Sequence, residues 1–170
     1  MSGAATVFEL DKSWEFEETG SHEWLSVARV PTNVHLDLMA HDKIPDPFLG
    51  FNELKCEWVG ERSWTYRKRL PSLPAVRKGR VQVLAFDGLD TFATVKLNGK
   101  VILKSDNMFI PHRVDITNDT RQDAENTVEI EFAPALFEAR KIKDAHPDHK
   151  WVGFNGDMAR LAIRKAQYHW

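Results

Sequence analysis

The chain has 170 residues, 42% hydrophobic and 28% charged, with 23 lysines and arginines against 25 aspartates and glutamates for a net charge of −2. That length suits one domain with a sizeable core and falls short of the roughly 250 residues of a TIM barrel. The near-neutral balance lacks the basic excess of a sequence-independent nucleic-acid binder and the acidic excess of a disordered solvating chain.

In chain order, Glu15 and Glu17 read as the polar face of a strand. Residues 33–41 read as a short helix, with Asn33 as N-cap and Val34, Leu38 and His41 at helical spacing. Residues 43–53, with Pro45, Pro47 and Gly50, read as an irregular loop. Residues 63–70 alternate so that Trp64, Tyr66 and Leu70 share a face. Residues 80–86 read as an inner strand, 87–90 as a turn and 91–97 as the next strand. Asn98-Gly99 is the strongest two-residue hairpin signal, and it leads into a strand over 100–104. Residues 126–132 put Val128, Ile130 and Phe132 on one face and Thr127, Glu129 and Glu131 on the other. Residues 134–143 read as a second short helix, opened by Pro134 and closed by cations. A second irregular loop covers 144–156, and residues 161–170 read as extended. Period-two patterns dominate, which predicts an all-β sandwich with one or two short helices.

The single cysteine, Cys56, cannot form an intramolecular disulfide or a cysteine-rich zinc site. The opening residues have no cationic stretch followed by an apolar run, and nothing approaches the roughly 18 apolar residues of a membrane span. A cytoplasmic setting is expected, in which the sequon at Asn118 is a chance match. The chain stops inside an apparent strand, so a piece of a longer protein is expected.

Most chemical motifs read weakly. His146 and His149, with Asp148 between them, lack the spacing of a helical metal motif and read as a solvated loop. No nucleophile elbow or phosphate loop is present, and Cys56 lacks the surroundings of a catalytic thiol. A glycosidase needs two carboxyl groups roughly 5–9.5 Å apart. Glu15, Glu17, Glu18, Asp87, Asp90 and Asp106 are available, but sequence does not place any pair at that distance. The 6 tryptophans and 10 phenylalanines are more informative, because aromatic planes stack on the C–H faces of sugars. Trp64, Phe86, Phe92 and Phe132 are expected in the core, and Phe48, Phe51, Trp151 and Phe154 at the surface.

Four stretches together resemble the amino-terminal domain of the β-mannosidases of glycoside hydrolase family 2, the fungal members in particular. They are residues 30–38; IPDPFLGFNE at 44–53 with Trp58, Val59 and 64–66; FDGLDT at 86–91 with VKLNG at 95–99 and DNMF at 106–109; and IRKAQYHW at 163–170. The FDGLDT and LNG pair marks family 2 broadly, whereas the 44–53 and 164–169 runs point to its mannosidase branch. Pro31-Thr32-Asn33 departs from the Pro-Gly of many members, where Asn33 can tolerate a left-handed backbone.

The resemblance implies a jelly-roll β-sandwich of the galactose-binding type, placed before an immunoglobulin-like domain and a TIM barrel. It implies an exo-acting, retaining hydrolase of terminal non-reducing β-D-mannose. The two catalytic glutamates lie in the barrel, which leaves residues 1–170 without catalytic residues and inactive alone. No metal or organic cofactor is implied. The implied partners are a β-mannoside oligosaccharide and the barrel, with no nucleic acid and no membrane. Asp46, Asn52 and Glu53, with the aromatic Phe48, are the candidates for the substrate rim or the barrel-facing surface. Arg164, Lys165, His169 and Trp170 are the candidate inter-domain anchors, although Arg164 and Lys165 read equally well as a strand's polar face. The rival readings are a free-standing, non-catalytic carbohydrate-binding module and a purely structural domain within the enzyme.

Overall fold

The computed structural model describes residues 5–70, 79–122, 124–152 and 157–165. Within them the strands are Trp14–Glu18 (β1), Leu25–Val27 (β2), Trp64–Leu70 (β3), Val83–Phe86 (β4), Ala93–Leu97 (β5), Lys100–Ser105 (β6), His112–Asp115 (β7) and Asn126–Phe132 (β8). The helices are Val34–Ala40 (α1), Glu53–Cys56 (α2) and Ala135–Asp144 (α3), with 3₁₀ turns at Glu57–Glu61 and Met158–Ala162. Six strands form an antiparallel sheet in the order β2-β1-β3-β8-β5-β6, and β4 pairs with β7 in a second, two-stranded sheet. Leu84 of β4 and the partly buried Val114 of β7 join the same core as the large sheet, so the two layers make the expected sandwich.

Register explains which face is wet. Phe16, Tyr66, Ile130 and Val95 lie directly opposite one another across four strands, each no more than 8% exposed. One residue along, Glu15, Arg67, Glu129 and Lys96 make a row of alternating charge on the other face, where opposite-sign neighbours are favourable. Truncating a fully buried member of the apolar row, such as Phe16, forfeits about 3–5 kcal/mol. The β5–β6 turn at Asn98 (φ 53°) and Gly99 (φ 83°) needs left-handed backbone at both residues, which Asn-Gly supplies. Asn126, 1% exposed, completes that corner. Its amide donates to Arg121 O at 2.9 Å, and its Oδ1 accepts from the Arg121 N–H at 2.7 Å and from Asn98 Nδ2 at 2.8 Å.

The expected helices over 33–41 and 134–143 are α1 and α3, and the strand expected over 126–132 is β8 residue for residue. Asn33 caps α1 through its side chain on the Leu36 N–H, with φ −138°; it is extended, not left-handed. Several expectations need correction. The strand over 80–86 begins only at Val83, where pairing with Asp115 of β7 starts, and it is not an inner strand, since Val81 and Val83 face outward. The extended run over 161–170 is instead a 3₁₀ turn to Ala162 followed by a single bridge at Arg164; 166–170 lie outside the described residues. Of the four expected core aromatics only Trp64 is fully buried. Phe86 and Phe132 pack at the core margin, at strand ends, and Phe92 is half-buried because alternation gives the inward position to Ala93. Glu17 lies on the polar face as expected but is 6% exposed, with one carboxylate oxygen on the Gly20 N–H at 3.2 Å. Lys68 shares the inner face with Trp64, Tyr66 and Leu70, and its long stem carries the ammonium out to Lys12 O.

The polar centre of the core joins sheet to helix. The buried phenol of Tyr66 donates to Asp37 Oδ2 at 2.7 Å, and Thr32 Oγ1 donates to Asp37 Oδ1 at 3.0 Å. Burial holds the Asp37 carboxyl above its ordinary range, against the lowering pull of Tyr66, Thr32 and His41. A carboxyl with a raised folded-state pKa contributes stability that is present below its unfolded value and lost as pH rises through the folded value. Tyr66→Phe removes a donor to the ionised form and raises that pKa further. Its penalty therefore grows with pH, reaching about 1–3 kcal/mol near pH 7 and less near pH 4, as urea denaturation at the two pH values will measure.

Candidate functional site

The loop that follows α1 is anchored at both ends and presents its middle to solvent. Ile44 (6% exposed) and Cys56 (3% exposed) are in the core, and the Cys56 thiol reaches Pro45 O at 3.6 Å. Between them, Phe48 and Phe51 are 82% and 80% exposed, with Leu49 and Leu54 also outward. Outward apolar side chains grouped on one short segment make it a candidate interaction surface. Two prolines stiffen the loop, and Gly50 supplies a φ of 60° that most side chains rarely adopt.

The sequence-predicted polar residues hold this loop in shape. Asp46 Oδ1 accepts the Phe48 N–H at 2.9 Å, an Asx turn. Asn52 Nδ2 donates to Asp46 O at 3.0 Å, while Asn52 Oδ1 accepts from Lys55 Nζ at 3.1 Å. A carboxylate has lone pairs on both oxygens, so Asp46 keeps acceptor capacity beyond its Phe48 bond. Glu53 is corrected from irregular loop to the first residue of α2, exposed to solvent. A four-residue helix is too short to show a period in sequence. Asp46, Phe48, Asn52 and Glu53 are thus brought together on one segment.

The candidate anchors are placed differently. Arg164 is exposed and forms a parallel bridge with Asn107, with Met108 N–H donating to Arg164 O at 3.0 Å. The Lys165 ammonium pairs with the Asp90 carboxylate, within this domain. His169 and Trp170 lie outside the described residues, as does Phe154. Sequence reading missed the Asp90 partner, which no pattern signals across 75 positions.

Most of the other chemical candidates are engaged structurally, while Asp106 lines the open cleft beside Phe92. Glu15 pairs with Arg67 at 2.8 Å, Glu18 with Arg62 at 3.6 Å and Asp87 with Arg113 at 2.9 Å. His146 bonds Ile142 O at 2.8 Å at the end of α3, and no cluster of three or more metal-ligating side chains occurs among the described residues. Trp151 is half-buried, not fully at the surface, with its ring edge-on to His149 at 4.3 Å. An open cleft of about 430 Å³ lies elsewhere, on the polar face of the sheet beside Phe92, Lys104 and Glu131, and no residue of the 44–53 loop lines it.

In Asp46→Ala the Phe48 amide loses its acceptor and exchanges with solvent deuterium about tenfold faster, as a lost hydrogen bond of about 1.4 kcal/mol implies. Asp46→Asn keeps an acceptor oxygen at that place, and the same amide retains its protection.

Comparison with known proteins matches residues 14–170 to the family described as glycosyl hydrolase 2 galactose-binding domain-like. The chain is 56% identical to β-mannosidase B of Emericella nidulans, over 99% of this chain and 20% of that protein. It is 52% identical to β-mannosidase B of Thermothelomyces thermophilus, over 96% of this chain and 19% of that protein. The crystal structure of β-D-mannosidase from Dictyoglomus thermophilum superposes with a TM-score of 0.77 at 34% identity, over 95% of this chain and 19% of that one. The chain thus spans about a fifth of the length of the relatives it matches.

Proposed function

The chain belongs to the glycosyl hydrolase 2 galactose-binding-like family, and on that footing we propose that it is the amino-terminal domain of a retaining β-mannosidase. The parent enzyme removes terminal non-reducing β-D-mannose, and residues 1–170 form its sugar-side sandwich. The observation that carries this reading is the anchored loop of residues 44–53, which turns two phenyl rings outward beside a folded set of polar groups. An immunoglobulin-like domain and a TIM barrel follow in the parent, and the barrel holds the catalytic pair.

The chemistry is double displacement. One barrel carboxylate attacks the anomeric carbon while a second carboxyl protonates the leaving oxygen, the two standing roughly 5–5.5 Å apart. The sandwich contributes to this by shape. Asp46 and Asn52 face a sugar hydroxyl or the barrel, and Phe48 offers an apolar face to a ring or a neighbouring side chain. Of the six candidate carboxylates, Glu15, Glu18 and Asp87 are paired with arginines, Asp90 with a lysine and Glu17 with the Gly20 N–H, while Asp106 lines the open cleft; none of them is assigned the chemistry.

The rival reading, a free-standing carbohydrate-binding module, wants a concave seat for its ligand. Phe48 and Phe51 of the 44–53 loop are almost fully exposed and suit a second surface better than a lone sugar, whereas the open cleft beside Asp106 and Glu131 is the seat that a free-standing module would use.

Hydrolysis of a chromogenic β-mannoside separates these readings: activity is expected in the full-length parent and not in the 170-residue chain. Activity in the short chain returns its own carboxylates to contention. In the full-length enzyme, Asp46→Asn and Asn52→Ala each lower kcat/KM by about tenfold. If both stay within about twofold of the parent, the loop does not touch the substrate.

A further inference from the structure

Strand pairing builds a concave seat on the polar face of the sheet, away from the 44–53 loop. Glu131 of β8, Thr94 of β5 and Lys104 of β6 stand opposite one another in register. Two residues along each chain, on the same face, come Ala133, Phe92 and Asp106. The Ala133 N–H donates to Phe92 O at 2.9 Å, which continues the ladder past the strand ends. Glu138 of α3 and Ser105 of β6 complete the lining of this cleft. Its volume of about 430 Å³ lies within the roughly 300–1,000 Å³ of small-molecule sites.

Some of its polar groups are held in place and others are left open. Glu131 pairs with Lys96 at 3.1 Å and Glu138 with Lys141 at 2.8 Å. Ser105 Oγ donates to Asn107 O at 3.4 Å and stands 3.1 Å from His112 Nε2. Among the described residues, no hydrogen bond or ion pair occupies the Asp106 carboxylate or the Lys104 ammonium. Phe92, half-buried with the small Ala133 beside it, gives the cleft an apolar floor. Asp106, Glu131 and Glu138 against Lys104 alone repel an anion. The carboxylates are not gathered around one cation either, since no group of three or more metal-ligating side chains occurs among the described residues. Spread around an apolar floor, they suit separate hydroxyl donors, each in a charge-assisted bond. A neutral sugar ring has that character, with hydroxyls at its edge and a C–H face that lies on an aromatic plane.

We propose that this cleft binds a neutral pyranose, with Phe92 beneath the ring and Asp106, Glu131 and Lys104 at its hydroxyls. Which saccharide fills it in the parent rests on the β-mannosidase reading; the binding itself does not. Lys96 and Lys141 orient Glu131 and Glu138 in advance, so the ligand has chiefly Asp106 and Lys104 left to order.

The test is hydrogen–deuterium exchange of the full-length protein with and without methyl α-D-mannopyranoside, a neutral sugar that a β-specific hydrolase leaves intact. With the sugar bound, the amides of residues 104–106 exchange about threefold more slowly. Asp106→Ala, at an exposed position, abolishes that slowing. Phe92→Ala abolishes it too, while Phe92→Trp keeps an aromatic plane and keeps the slowing. Methyl α-D-glucuronide, whose carboxylate the cleft repels, produces none. No slowing in the parent, slowing that survives Asp106→Ala, or equal slowing by the glucuronide each overturns the proposal. Residues 104–106 fully protected before sugar is added mean that another domain covers the cleft, and overturn it as well. A parent inactive on 4-nitrophenyl β-D-mannopyranoside refutes the β-mannosidase reading instead, and the exchange at 104–106 still decides whether the cleft binds a sugar.

Discussion

The hydrogen bond between Tyr66 and Asp37 is the constraint from which the useful end of this domain takes its position. Tyr66 sits on β3, stacked on Phe16 at 5.6 Å and edge-on to Phe132 at 6.0 Å, so the sheet fixes its ring. Its hydroxyl then fixes Asp37, and with it the first turn of α1. A buried carboxylate without donors is expensive, and the two hydroxyls of Tyr66 and Thr32 offset that cost only in this arrangement. The loop starts where α1 ends and returns to the core at Cys56. Its geometry therefore passes from the sheet, through one phenol, to residues 44–53.

What that loop does with its apolar residues contrasts with the polar face of the sheet. On the sheet, Glu15, Arg67, Glu129 and Lys96 form a row whose charges answer one another, and Arg67 also stacks on Trp24 at 3.6 Å. On that face Glu15 pairs with Arg67 at 2.8 Å and Lys96 with Glu131 at 3.1 Å. In the loop, Phe48, Leu49, Phe51 and Leu54 are exposed while Ile44 and Cys56, on the same short stretch, are buried. The core has space for the ends and not for the middle. Apolar area left in water at the centre of a stiffened, hydrogen-bonded loop is stabilised when another surface covers it.

How much of this was legible depends on the range of the interaction. The β8 strand was readable because Val128 and Ile130 alternate strictly with charged or polar neighbours, and it lies in the middle of the sheet where alternation must hold. Asn98-Gly99 was readable because few other pairs accept left-handed backbone twice in succession. The three-residue β2 and the four-residue β7 and α2 were not, since none completes enough of a period to stand out. Lys68 was hidden for a different reason: a lysine on an inward position looks like a break in the pattern until its stem is seen to carry the charge to Lys12 O. In the candidate site, resemblance picked out residues 44–53, but only geometry separates the turn-making role of Asp46 from the exposure of Phe48. The Asp90–Lys165 contact spans 75 positions and leaves no local trace.

Resolving those roles bears on the part proposed for this domain in a larger enzyme. Asp46 and Asn52 already bond the loop's own backbone, so their orientation is set before any ligand arrives. Ordering a flexible side chain on binding costs roughly 0.5–1.5 kcal/mol, and a group held in advance avoids most of that cost. The prolines act in the same direction on the backbone. Rigidity of this kind is useful only if the loop is also correctly placed relative to the catalytic groups, where an error near 1 Å is costly. Placement is what Tyr66 and Asp37 supply from within the core, through α1. On the proposed function, the sandwich would contribute through the position of a preformed surface rather than through proton transfer or nucleophilic attack.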